Sequence, residues 1–138
     1  MNKLSLVILI CCFAMIFADL PDWFPQNQSE IEAKCKEESS ISPESLEKIW
    51  TKDIEDTTEV RSFLLCLAQN KNVFSTEMGY KADRLQLVMK ERGKLDCDME
   101  FVEGCVNKSK DVKPDDVMTF DITKCMIDGV EEHCKKVE

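Results

Sequence analysis

The sequence predicts an all-α domain, compact and disulfide-linked, built from six short helices. Strand-like alternation is nearly missing from the chain, and apolar residues instead recur at helical spacing between punctuating prolines and glycines. The cysteine count is also high, at eight in 138 residues. Cysteines this dense in a small exported domain read as a disulfide framework.

Export is itself a reading of the N-terminus. Lys3 gives a positive start, Leu4 to Phe17 form an apolar run broken only by Ser5, and the run ends at the small residue Ala18. That is the pattern of a secretory signal over residues 1–18. A membrane span needs about 20 apolar residues, and Asp19, Pro21 and Asp22 follow at once. Residues 19–138 then form one domain, without repeat, low-complexity tract or flexible linker. Cys11 and Cys12 leave with the signal, so Cys35, Cys66, Cys97, Cys105, Cys125 and Cys134 remain, an even set suited to three bridges.

The first helix is predicted from Ser29, whose hydroxyl with Glu32 three residues on makes a capping box, and it carries Ile31 and Cys35. Ser42 before Pro43 is an N-cap followed by a first-turn proline, opening a second helix through Leu46, Ile49 and Trp50. Asp56 and Glu59 repeat the box spacing ahead of a third, where Val60, Phe63, Leu64 and Leu67 form the clearest apolar stripe. Val73 to Gly79 reads as a turn. A fourth helix shows Ala82, Leu85, Val88 and Met89 on one face and stops at Gly93, and a fifth shows Met99, Val102, Cys105 and Val106. Pro114, with Asp115 and Asp116 complementing the helix dipole, opens a sixth that carries Met118, Ile122, Cys125, Met126 and Val130.

Helices five and six are consecutive and closely joined, so they should form an antiparallel hairpin. Facing positions in such a hairpin keep a nearly constant sum of residue numbers. Cys105 with Cys125 and Cys97 with Cys134 share one register to within a residue, whereas the crossed pairing demands two different registers. Cys35 and Cys66 are then left for each other. At about 100° per residue, Cys134 lies opposite Cys125 on an unbroken helix, so the second bridge requires the chain to leave helical geometry after about Gly129.

Composition excludes several functions. The formal charge is −9, from 18 basic against 27 acidic residues, and loss of Lys3 makes it more negative by one. No long basic run offers a nucleic acid or an anionic membrane a positive patch, and no stable membrane insertion is expected of the domain. His133 is the single histidine, which rules out zinc sites that need two imidazoles. No cofactor or metal is expected, and no catalysis: the carboxylates alternate with lysines as on a solvated face.

A secretory signal, an acidic helical domain and this cysteine placement resemble the insect odorant-binding proteins, the pheromone and general odorant-binding family. The most specific segments are Phe63 to Leu67 around the family's third cysteine, Cys105 to Lys108 around its fourth, and Thr123 to Met126 around its sixth. The family's second and fifth cysteines, which bond to each other, fall here on Ser62 and Asp116. One bridge is thus missing as a unit, as in the minus-C subgroup, and Cys97 with Cys134 would be an additional pair. A rival alignment takes Cys125 and Cys134 as fifth and sixth but leaves the second cysteine unplaced.

The resemblance implies a fold around an apolar cavity and a secreted carrier of small hydrophobic molecules, such as odorants or pheromones, with an odorant receptor as a further partner. The alternative is a secreted protein-interaction factor of saliva, venom or seminal fluid, its cavity filled by side chains. Candidate ligand-binding residues on the apolar faces are Phe63, Leu67, Phe74, Met78, Leu85, Met89, Phe101, Met118 and Met126. The methionines among them suit an adaptable pocket, because the thioether is unbranched and polarisable. Tyr80 has a phenol able to donate to a ligand but, just after Gly79, reads as an exposed structural residue. Trp23 is expected on the surface of helix one and His133 in a solvated tail. With only Lys135 to Glu138 beyond Cys134, that tail is too short and too tethered to enter the cavity. Asn27 and Asn107 each begin an N-glycosylation triplet.

Overall fold

The computed structural model describes residues 20–138; the proposed signal lies outside them. Among the described residues are six helices: α1 (Gln28–Ser39), α2 (Pro43–Trp50), α3 (Thr58–Asn70), α4 (Ala82–Gly93), α5 (Met99–Ser109) and α6 (Asp115–His133). Two short antiparallel ladders join them, β1 (Phe74–Ser75) with β2 (Gly79–Tyr80), and β3 (Leu95–Cys97) with β4 (Cys134–Lys136). The all-α class of the sequence reading holds.

Two helix starts, those of α2 and α3, are capped by side-chain oxygens, though not always the expected ones. Ser42 caps α2 as read, its Oγ accepting from the Ser45 N–H at 3.1 Å. Asn27, not Ser29, is the N-cap of α1, and Ser29 lies inside the helix without a box. Glu32 is thereby free for other partners. At α3 the cap is Thr57, whose Oγ1 accepts from the Val60 N–H at 3.2 Å, while Asp56 turns aside to pair with Arg61 at 2.6 Å. The span Val73 to Gly79 is not a simple turn. It is most of a hairpin in which Phe74 stands opposite Tyr80, their rings stacked at 5.7 Å.

α6 is the spine. Phe120 faces a cluster with Ile31, Cys35, Val60, Phe63, Leu64 and Cys66, which welds α1 to α3. Met118, Ile122 and Met126 face a second cluster with Ala68, Phe74, Val102, Cys105 and Val106. Each cluster holds a bridge, Cys35–Cys66 in the first and Cys105–Cys125 at the second. Arg61, beside Ser62 on α3, approaches Asp116 on α6 to 3.9 Å, so a charge pair spans the joint where the family resemblance places an absent disulfide.

The third bridge, Cys97–Cys134, is reached differently from the way its spacing suggests. α6 does not unwind after Gly129 but continues to His133, and the chain turns extended from Cys134, at φ −126° and ψ 144°. Leaving the helix there places Cys134 directly opposite Cys97 in the β3–β4 ladder. Gly129 serves another purpose: a Cβ on it would stand 2.5 Å from Cε2 of Phe101. The bare glycine lets that ring lie against α6 and stack on His133 at 4.4 Å. His133 is therefore a packed, half-buried residue, not a solvated one. The last residues run along β3, with the Val137 N–H donating to the Lys94 carbonyl at 3.0 Å.

Candidate ligand cavity

α2 and α4 pose a packing question. Both carry apolar side chains at helical spacing, yet neither has a fully buried residue. Apolar faces normally seal against other elements; here they face a cavity of about 390 Å³. Ile49 and Trp50 come from α2, Phe63, Leu64 and Leu67 from α3, Leu85, Val88 and Met89 from α4, and Ile122, Met126, Ile127 and Val130 from α6. Leu95 of β3 and Tyr80 of β2 complete the apolar wall, and Trp50, 72% exposed, stands at the rim.

Five of the nine residues nominated from sequence meet in this cavity: Phe63, Leu67, Leu85, Met89 and Met126. Phe74, Met78 and Met118 lie instead on a second, more polar cavity between the β1–β2 hairpin, α5 and the start of α6. Phe101 lines neither and is occupied with Gly129 and His133. Tyr80 corrects the sequence reading, since it is not an exposed residue but lines both cavities, between which it stands. Burial pushes its phenol well above the ordinary range, with no hydrogen bond contributing. The hydroxyl therefore stays protonated and is available as a donor. The ring of Trp23 is covered by Arg84 of α4, 4.8 Å from its centre.

The polar lining was not foreseen. Glu32 of α1, Lys71 at the end of α3 and Arg92 in the last turn of α4 meet at the cavity wall. Oε1 of Glu32 accepts from Lys71 Nζ at 3.0 Å and from Arg92 Nη2 at 3.0 Å. Burial tends to raise the Glu32 carboxyl, but the hydrogen bonds and charges of Lys71 and Arg92 outweigh it and hold the carboxyl below its usual range. Lys52 and Glu131, 2.6 Å apart, form a separate rim pair between α2 and α6.

A signal for two of these residues does exist in the sequence. Lys71 continues the stripe of Leu64 and Leu67, and Arg92 continues that of Leu85 and Met89, at i+7 in each case. A cation extending an apolar stripe marks the edge of something apolar.

Among the described residues no group of histidine, cysteine and acidic side chains could hold a metal ion. No helix among them is long and apolar enough to cross a membrane.

Searches of curated proteins and of solved structures gave no match. The model of the PBP/GOBP family, in contrast, matches residues 18–129, from the proposed cleavage point to the last turns of α6. A six-helix disulfide-linked domain and a match across most of its length lead to one assignment: the chain belongs to the PBP/GOBP family, the insect pheromone- and odorant-binding proteins.

Proposed function

We propose that this protein is a secreted, non-catalytic carrier that holds one small hydrophobic molecule in the cavity between α2, α3, α4 and α6. The family is one of small-ligand carriers rather than enzymes, and the disulfides suit an extracellular protein. Residues 1–18 are its secretory signal and 19–138 its binding domain. The observation that carries the reading is the unsealed apolar surface of α2 and α4. These faces would be sealed by side chains in a scaffold serving protein contacts alone, and here they border open space.

Volume bounds the ligand. A methylene occupies about the share of a water molecule, ~30 Å³, so 390 Å³ accommodates roughly a dozen non-hydrogen atoms. That is the size of a volatile alcohol, ester or short-chain acid. Tyr80 supplies one hydrogen bond to an oxygen of such a ligand. Displacement of an apolar fluorescent probe by compounds of this size is the test: saturable binding supports the carrier. Failure of well-folded protein to bind any of them supports the interaction-factor alternative.

A further inference from the structure

Lys71 is 7% exposed, a depth at which a cation requires a counter-charge and acceptors for its three N–H groups. Glu32 supplies the counter-charge and one acceptor, an oxygen that it also shares with Arg92. Two cations thus meet one carboxylate at the wall of an apolar cavity, so the triad carries one positive charge in excess. Among the described residues, Lys71 Nζ has no other hydrogen-bond acceptor, and Nη1 of Arg92 has none at all. The arrangement stands out in a protein of net charge −9, where a lone excess of positive charge serves no general solubility need. A charge triad with spare donors, fixed on three different helices and bordering apolar surface, is built to receive an anion attached to something apolar.

We infer that the preferred ligands are amphipathic monoanions, an alkyl chain with a carboxylate head, the chain lying along Leu67, Leu85 and Met89 and the head on Lys71 and Arg92. This rests on the carrier reading and narrows it. The head completes the charge balance that Glu32 leaves open, and its oxygens take the unused N–H groups. Low dielectric strengthens such contacts relative to those at the surface. A neutral head satisfies fewer donors and no charge, and an ammonium head is repelled.

The test compares decanoate, 1-decanol and decylamine, which share a chain and differ in head charge, as competitors for an apolar fluorescent probe on the secreted protein at neutral pH. Decanoate is expected to bind about ten- to a hundredfold more tightly than 1-decanol, the effect of a charge-assisted hydrogen bond in a shielded site, and decylamine more weakly than either. Arg92→Met is expected to remove the preference for decanoate over 1-decanol; Arg92 is partly exposed, so this variant keeps the fold. Glu32→Gln strips the cations of their internal partner and raises decanoate affinity. Equal affinity for the three compounds overturns the inference but leaves the carrier intact, and so does a decanoate preference that survives Arg92→Met. Failure of all three to bind folded protein overturns both.

Discussion

Replacing Cys97 and Cys134 together by alanine opens the bridge that holds β3 against β4. The two cysteines are 37 residues apart in sequence. Closing a loop of that length removes about 13 cal/mol/K of entropy from the unfolded chain, which amounts to about 3.8 kcal/mol at 25 °C. With an unfolding entropy near 2.1 cal/mol/K per residue, a domain of about 120 residues loses about 15 °C in Tm for that change. Residual denatured-state structure lowers the figure, so a fall of about 8–15 °C is expected by calorimetry under non-reducing conditions. Leu95 of β3 lines the cavity two residues from the bridge, so probe affinity should also weaken. A Tm within about 3 °C of the parent would contradict this account, because the β3–β4 ladder would then hold the tail without a covalent link.

Three further outcomes follow from other parts of the molecule. Val88→Trp places an indole in the cavity from a helix with no fully buried residue, so it should weaken probe binding on the order of tenfold or more with little change in Tm. Gly129→Ala gains about 1 kcal/mol of helix propensity but sets a Cβ 2.5 Å from Phe101. Displacing that ring costs about 1–3 kcal/mol, so chemical denaturation should find the variant less stable, whereas Gly104→Ala, with open space around it, should be stabilised. The Glu32 carboxyl is held below its usual range in the folded state, so its stabilising contribution is complete above the unfolded pKa, near 4.5, and is lost as pH falls through the folded value. The Tm difference between the parent and Glu32→Gln should therefore be flat around neutrality and shrink below about pH 4.5; a difference that grows on acidification would reverse the sign.

Much of the fold was legible because helical periodicity and punctuation are local. Ser42 with Pro43 marked α2 to the residue, and the apolar stripe of Val60, Phe63, Leu64 and Leu67 marked α3. The pairing of Cys105 with Cys125 came from hairpin register, which depends only on residue numbers. What was misread depends on three-dimensional choices. Asp56 and Thr57 offer similar oxygens at neighbouring positions, and Thr57 is the one that caps; α1 starts one residue before Ser29, with no side-chain cap at all. Gly93 ends α4 as expected, but the left-handed residue that closes the helix is Lys94, at φ 54°. Gly129 looked like a helix terminator, but the reason for it is the ring of Phe101 on α5, 28 positions earlier in the chain.

The cavity was less legible than the core, for one physical reason. A residue facing a cavity and one facing another helix carry the same apolar signature, so Phe101 and Val88 cannot be told apart from sequence periodicity. Phe101 packs, and Val88 faces open space. Charged lining residues are harder still, because Glu32, Lys71 and Arg92 are separated by whole helices and form a site only once α1, α3 and α4 converge.

The central claim is that the space between α2, α3, α4 and α6 is a binding site. Titration of an apolar fluorescent probe into the folded secreted protein, with Val88→Trp in parallel, tests it most directly. The account predicts saturable binding of one probe per chain that the variant weakens on the order of tenfold or more. Linear, unsaturable fluorescence from the parent, or equal binding by both proteins, would contradict it.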